Sequence, residues 1–137
     1  MRDLVGRARL ADRIIIDSAG TGDWHIGQPP DERAQRIAKK RGYDLSSLRG
    51  RQVAAEDFAR FDLFIVMDDA NAAALASVCP PEHRDKIRLL MEFATLDDSR
   101  VVVDPYFGGD DGFERVLDQC EDACAGLLKA LRAQLMA

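Results

Sequence analysis

The sequence has few cysteines and histidines and no long hydrophobic run. No apolar stretch approaches the roughly 20 residues that a membrane-spanning helix needs, so no such helix is predicted. The three cysteines are an odd number, unlike the paired framework of a small secreted domain, and they favour a reduced, cytoplasmic setting. His25 and His83 are isolated and have no metal-ligand spacing around them, so no metal site is predicted.

An excess of positive charge is also absent. The 137 residues carry a formal net charge of −5, which argues against the basic surface that binds nucleic acid regardless of its sequence. Hydrophobic residues make up 47% of the chain, enough for a packed core and too many for a disordered protein. We therefore expect one globular domain over residues 1–137, with neither a nucleic-acid nor a membrane partner.

Short strand patterns alternate with helix signals along the chain. Three apolar runs are typical of buried strands: 14–16, 63–67 and 87–90. Asp31 is placed to cap a helix that ends near Arg41 with Gly42 behind it, and Asp68 or Asp69 begins the next helix. Strands separated by helices imply a parallel sheet with right-handed crossovers, so the sequence predicts an α/β domain.

The last helix has the clearest periodicity in the chain. Two acidic residues, Asp110 and Asp111, stand at its positive end. One face of the helix is apolar and consists of Phe113, Val116, Leu117, Cys120, Cys124, Leu127, Leu128, Leu131 and Leu135. We therefore expect this helix to pack along the core, with the two cysteines used as small hydrophobic side chains.

Asp104-Pro105-Tyr106 is the first candidate for chemistry. Proline biases Asp104 towards an extended backbone, and a carboxylic acid held near an ester oxygen can protonate a leaving group. From spacing alone a simple turn is the better interpretation, because Asp before Pro commonly initiates turns. Trp24 lies in a Gly- and Pro-rich loop, where it fits equally a core plug and a flat face for an aromatic substrate.

Three segments resemble the low-molecular-weight protein tyrosine phosphatases in order and spacing. They are DSAGTGDWHIGQPPDERA at 17–34, VMDDAN at 66–71 and DPY at 104–106, and the resemblance runs the length of the chain. It implies a three-layer α/β/α fold with a small parallel sheet, of the phosphotyrosine phosphatase I type. It also implies a substrate that is a phosphotyrosine protein or aryl phosphate, with neither a metal nor an organic cofactor.

The resemblance assigns roles to five residues. Asp104 looks like the general acid and base, and Tyr106 and Trp24 look like aromatic walls that contact the substrate. Ser18 and Asp68 resemble the residues that support the phosphate-binding loop. Taken alone, Ser18 fits a turn hydroxyl and Asp68 an N-cap, and the N-cap is compatible with the supporting role.

The family's nucleophile is not found in the sequence. In the family, a cysteine is followed six positions later by an arginine on the phosphate loop, whereas the residues six beyond the three cysteines here are Asp85, Gly126 and Ala130. The chain opens without a helix cap, so Met1 is interpreted as lying inside the helix that follows that loop. We therefore expect an N-terminally truncated domain that lacks its first strand and is inactive as given.

Three other functions compete with this interpretation. A pseudoenzyme or phosphoprotein-binding remnant would keep the aromatic loop without turnover. Arsenate reduction, known in a sister group, is disfavoured because the second strand ends in Met67-Asp68 without a redox cysteine. A phosphoacceptor domain would use Asp68-Asp69, but the acidic cluster that it needs after the first strand is not present.

Overall fold

The computed structural model describes residues 1–22, 26–102 and 109–136. The helices within these ranges are α1 (Arg2–Arg7), α2 (Glu32–Lys40), α3 (Asp57–Arg60), α4 (Asp69–Val78) and α5 (Gly109–Leu135). The strands are β1 (Phe64–Val66) and β2 (Ile87–Leu89), and 3₁₀ helices at Pro81–Lys86 and Leu90–Phe93 flank β2.

The two strands form a parallel pair joined through α4. Phe64 lies opposite Ile87 and Val66 opposite Leu89. A parallel pair needs a crossover connection, and α4 with the following 3₁₀ helix supplies it. The predictions of strands at 63–67 and 87–90, and of a helix between them, are confirmed.

Helices cover both faces of this sheet. Because successive strand residues point to opposite faces, Val66 packs with Leu75 of α4 in one buried cluster. Ile65 packs on the other face, against a cluster that includes Ala123 and Leu127 of α5. The two clusters are the cores between three layers, which agrees with the expected α/β/α arrangement.

The predicted helix caps are present. The side chain of Asp31 accepts hydrogen bonds from the backbone N–H groups of Arg33 (2.8 Å) and Ala34 (3.4 Å) at the start of α2. Gly42 follows α2 with φ of +88°, a left-handed conformation that glycine adopts without strain. Local sequence signals therefore fix the bounds of α2.

The prediction of a strand at residues 14–16 is wrong. These residues form no strand, and 76% of Ile15 is exposed rather than buried. A strand needs a neighbour that completes its hydrogen-bond ladder. Within the described part of the chain no strand pairs with this run, and the guanidinium of Arg2 donates instead to the Ile16 carbonyl at 2.8 Å.

One arginine ties α2 to α5. The Arg41 side chain is 24% exposed, and its guanidinium contacts three carboxylates one turn apart along α5: Glu114, Asp118 and Glu121. The hydrogen bonds that Arg41 donates to the carboxylates of Glu114 and Glu121 raise the pKa of Arg41 above its ordinary value. The acidic face of α5 thus has a fixed partner at the C-cap of α2.

We expect Arg41→Met to lower the free energy of unfolding by about 1–2 kcal/mol, because three neighbouring carboxylates then lose their common partner. Arg36→Met is the matched control. Arg36 pairs with Asp110 at 2.9 Å with both side chains more than half exposed, so its loss should cost at most about 0.5 kcal/mol. Urea denaturation measures both changes, and equal effects would contradict this account.

None of the helices in the described ranges combines the length and apolarity that a bilayer crossing requires.

Candidate functional site

The carboxyl end of β1 carries the first predicted site residue. Asp68 follows β1 at the N-cap of α4, with an extended backbone at φ −149° and ψ 175°. Its Oδ1 accepts a hydrogen bond of 2.8 Å from the backbone N–H of Asn71. The carboxylate is therefore held at the edge of the sheet where parallel α/β folds place their ligands.

The segment that leads to Asp104 reaches the same edge. The Val102 N–H donates to the Met67 carbonyl at 2.9 Å, directly before Asp68, and Val102 is buried. On the other side, the Gln119 side chain of α5 donates to the Val101 carbonyl at 3.3 Å. Asp104 and Tyr106 themselves lie outside the described residues.

A cleft of about 240 Å³ opens beside Asn71. Its lining residues are Gly20, Thr21, Gly22, Ile26, Gly50, Arg51 and Asn71. Ser18 lies just before this lining, is exposed, and donates its backbone N–H to the Asp17 carboxylate at 2.8 Å. Trp24 belongs to the same loop by sequence but lies outside the described residues.

An ion-pair network borders the cleft. Arg51 Nη1 lies 2.9 Å from Asp57 Oδ2, and Arg51 Nη2 lies 3.2 Å from Asp17 Oδ2. The Asp57 side chain is only 6% exposed and also accepts the Ala54 N–H at 2.8 Å. The Arg51 side chain and the Ala54 N–H hold the pKa of Asp57 below its ordinary value.

Sequence reasoning missed this network. Arg51, Asp17 and Asp57 lie in three separate, mostly irregular segments, so no periodicity or cap pattern connects them. One part of the network is local: the Asp57 carboxylate accepts the backbone N–H of Ala54, three residues earlier, in the turn before α3. An acidic residue at this spacing is the sequence signal that could have indicated the contact.

We expect Asp57→Asn to lower the free energy of unfolding by about 2–3 kcal/mol at pH 7, since it leaves Arg51 with one carboxylate fewer. Because the folded-state pKa of Asp57 is depressed, its ionised carboxylate contributes to the free energy of unfolding at pH values above the unfolded-state pKa. This contribution is lost as the pH falls through the folded-state pKa. The difference between wild type and variant should therefore shrink below about pH 5. Urea denaturation across pH measures it, with Asp62→Asn as the exposed control; a pH-independent difference would contradict the assignment.

The comparisons with known proteins agree with this geometry. The sequence model described as low molecular weight phosphotyrosine protein phosphatase matches residues 1–137. The chain belongs to this family. A Streptomyces coelicolor low molecular weight protein-tyrosine-phosphatase is 40% identical over 144 aligned residues, covering 98% of this chain and 87% of that protein. Low molecular weight phosphotyrosine protein phosphatase 2 of Drosophila melanogaster is 39% identical over 133 residues, covering 96% and 80%.

Solved phosphatase structures share the fold. The protein tyrosine phosphatase of Entamoeba histolytica superposes with a TM-score of 0.92 at 38% identity, covering 97% of this chain and 85% of that one. YfkJ of Bacillus subtilis gives a TM-score of 0.88 at 34% identity, covering 97% and 82%. The predicted α/β fold with a small parallel sheet is therefore confirmed.

None of the three cysteines of this phosphatase-family chain is among the described residues that line the cleft. Cys79 is 3% exposed, and its thiol donates to the Pro80 carbonyl at 3.4 Å. It ends α4, so the 10 residues of that helix separate it from Asp68 by about 15 Å. Cys120 and Cys124 pack against the core cluster of α5, and burial raises the pKa of Cys120 to about 11. Their predicted use as small hydrophobic side chains is confirmed.

No group of three or more His, Cys, Asp or Glu side chains could hold a metal ion among residues 1–22, 26–102 and 109–136. Ser18 and Asp68 lie beside the cleft. The roles of these two residues and of Asp104, Trp24 and Tyr106 stay predictions.

Proposed function

We propose that this protein hydrolyses phosphotyrosine and other aryl phosphate monoesters through a phosphocysteine intermediate. One observation carries the proposal. The hydrogen bond from Val102 to Met67 brings the segment that leads to Asp104 to the same sheet edge as Asp68 and the Gly20–Gly22 cleft wall. An acid two residues beyond Val102 would then serve a phosphate held at that edge.

In the first step a cysteine thiolate attacks phosphorus, an S–P bond forms, and the P–O bond to the phenol breaks. Asp104 donates its proton to the departing phenol oxygen, so phenol rather than phenolate leaves. In the second step the Asp104 carboxylate takes a proton from water. The water oxygen attacks phosphorus, so that a P–O bond forms as the S–P bond breaks, and inorganic phosphate and the cysteine thiolate are released.

The nucleophile of this proposal lies outside the 137 residues. A phosphoryl-transfer thiol needs a lowered pKa and a cradle of backbone N–H donors. Cys79 is followed by Pro80 and Pro81, which have no N–H to offer. Burial raises the pKa of Cys120, the opposite of activation. The 137-residue chain alone is therefore proposed to have no turnover.

Substrate choice is proposed to come from Trp24 and Tyr106. Two aromatic side chains facing one another would hold a phenyl ring between them, and each aromatic contact contributes about 0.5–1.5 kcal/mol beyond its buried area. Phosphoserine has no ring to fill that space. We therefore expect phosphotyrosine peptides to be preferred over phosphoserine peptides of the same sequence.

Turnover assays test the proposal. The protein isolated from its source cell should hydrolyse p-nitrophenyl phosphate and a phosphotyrosine peptide without added metal, whereas the 137-residue chain should hydrolyse neither. Saturable binding of the peptide without turnover by the isolated protein would instead support the alternative, a phosphoprotein-binding module. Turnover by the 137-residue chain would overturn the placement of the nucleophile.

A further inference from the structure

We propose that Arg51, with the segment Gly50–Val53, positions the loop that carries Trp24. In this role Arg51 is a positioning residue: it holds the loop and does not touch the reacting atoms. The inference deepens the proposed function and rests on it in one respect, that Trp24 contacts the substrate. The positioning itself depends on contacts among described residues only.

The backbone of this segment holds both ends of the loop. Before Trp24, the Gly20 N–H donates to the Arg51 carbonyl at 2.7 Å, and the Val53 N–H donates to the Gly20 carbonyl at 2.9 Å. After Trp24, the Gly27 N–H donates to the Gly50 carbonyl at 2.8 Å. Isolated parallel bridges, Gly20 with Gln52 and Ile26 with Gly50, mark the same two junctions.

The Arg51 side chain adds a link from the loop to the core. One end of its guanidinium pairs with Asp17, directly before the loop, at 3.2 Å. The other end pairs with Asp57 at 2.9 Å. Asp57 is nearly buried and belongs to α3, beside the core residue Phe58, so it gives the guanidinium a fixed anchor.

The two carboxylates have different exposures, and this difference decides their roles. The Asp17 side chain is 39% exposed, whereas that of Asp57 is 6% exposed. Removing Asp57 would disturb the core, but removing Asp17 would release only the loop from its anchor. A planar guanidinium reaches two carboxylates at once, and a lysine ammonium at the same site would not reproduce that fork.

Tryptophan fluorescence tests the proposal directly. The sequence holds one tryptophan, so the emission of the 137-residue chain reports Trp24 alone. We would measure acrylamide quenching and the emission maximum for wild type, Arg51→Met, Arg51→Lys and Asp17→Asn, well below each variant's Tm. Arg49→Met is the matched control, because the hydrogen bonds that Arg49 donates within the described part of the chain go to carbonyls of its own turn, those of Ser46 and Leu48.

We expect Arg51→Met and Asp17→Asn to raise the quenching constant by about twofold, because the loop opens locally more often. Arg51→Lys should give an intermediate value, and Arg49→Met should equal wild type. Unchanged quenching in Asp17→Asn, or an equal rise in Arg49→Met, would overturn the proposal. If Arg51→Met fails to fold, Asp17→Asn decides, since it leaves the Arg51–Asp57 pair in place.

Fluorescence quenching tests the positioning role of Arg51, and turnover tests the proposed phosphatase activity, so the two can fail separately. Quenching needs no turnover, so a protein without phosphatase activity would still show the loss of loop positioning. Conversely, the Asp17→Asn variant could hydrolyse aryl phosphates at the wild-type rate while the quenching of Trp24 stays unchanged. That result would support the proposed phosphatase activity and contradict the positioning role of Arg51.

Discussion

Replacing Asp104 with Asn in the protein isolated from its source cell is expected to lower kcat for phenyl phosphate by roughly 10²–10⁴-fold, the usual contribution of a general acid. Phenolate is a poor leaving group, so it depends on the proton that Asp104 supplies. p-Nitrophenolate leaves more readily, so the loss with p-nitrophenyl phosphate should be smaller. The alkaline fall in kcat/KM, which reports deprotonation of the acid, should also disappear.

Asp98→Asn provides the control for this experiment. Asp98 is an exposed acid six residues earlier in the chain, and its replacement should leave both substrates unaffected. Equal losses for phenyl and p-nitrophenyl phosphate in Asp104→Asn would show that Asp104 does not protonate the leaving group. The assignment of this residue as the acid would then be wrong.

Gly126→Ala is expected to lower the free energy of unfolding by about 3 kcal/mol, the upper part of the usual cost of overpacking. A Cβ built on Gly126 would lie 1.8 Å from the Phe93 carbonyl oxygen and 2.9 Å from its carbon. Those atoms are backbone, so α5 and the 3₁₀ helix Leu90–Phe93 would have to separate. The expected fall in Tm is about 10 °C.

Gly6→Ala is the matched control, made in α1, where a Cβ would have no heavy atom within 4 Å. Alanine favours helix over glycine, so this variant should gain up to about 0.5 kcal/mol. Calorimetry measures the Tm of both variants. A loss of stability in Gly126→Ala alone would show an effect of close packing rather than a general effect of an added methyl group. A Gly126→Ala protein as stable as wild type would contradict the close approach of the two helices.

Local signals predicted the helices well. Asp31 and Asp68 cap α2 and α4 as expected, because a cap depends on side chains and N–H groups only a few residues apart. The prediction of a strand at residues 14–16 was wrong for the opposite reason, because a strand depends on residues distant in the sequence. Its β-branched residues suit a strand, but a strand forms only beside a partner, and sequence composition does not supply one.

The candidate site could be predicted only in part. Its motifs resemble those of the phosphatase family, and that resemblance, rather than spacing alone, assigned Ser18, Asp68 and Asp104. The network of Asp17, Arg51 and Asp57 could not be found in this way, because it joins separate segments through side-chain contacts. Such contacts depend on tertiary packing and leave no periodic pattern in the sequence.

Mapping the phosphorylated residue of the acid-quenched enzyme tests the central claim most directly. The protein isolated from its source cell would be mixed with p-nitrophenyl phosphate, quenched in acid within its turnover time, digested and analysed by mass spectrometry. We predict a phosphocysteine in a peptide outside the 137 residues, with Cys79, Cys120, Cys124 and Asp68 unmodified. Phosphate on any of these four residues would contradict the account.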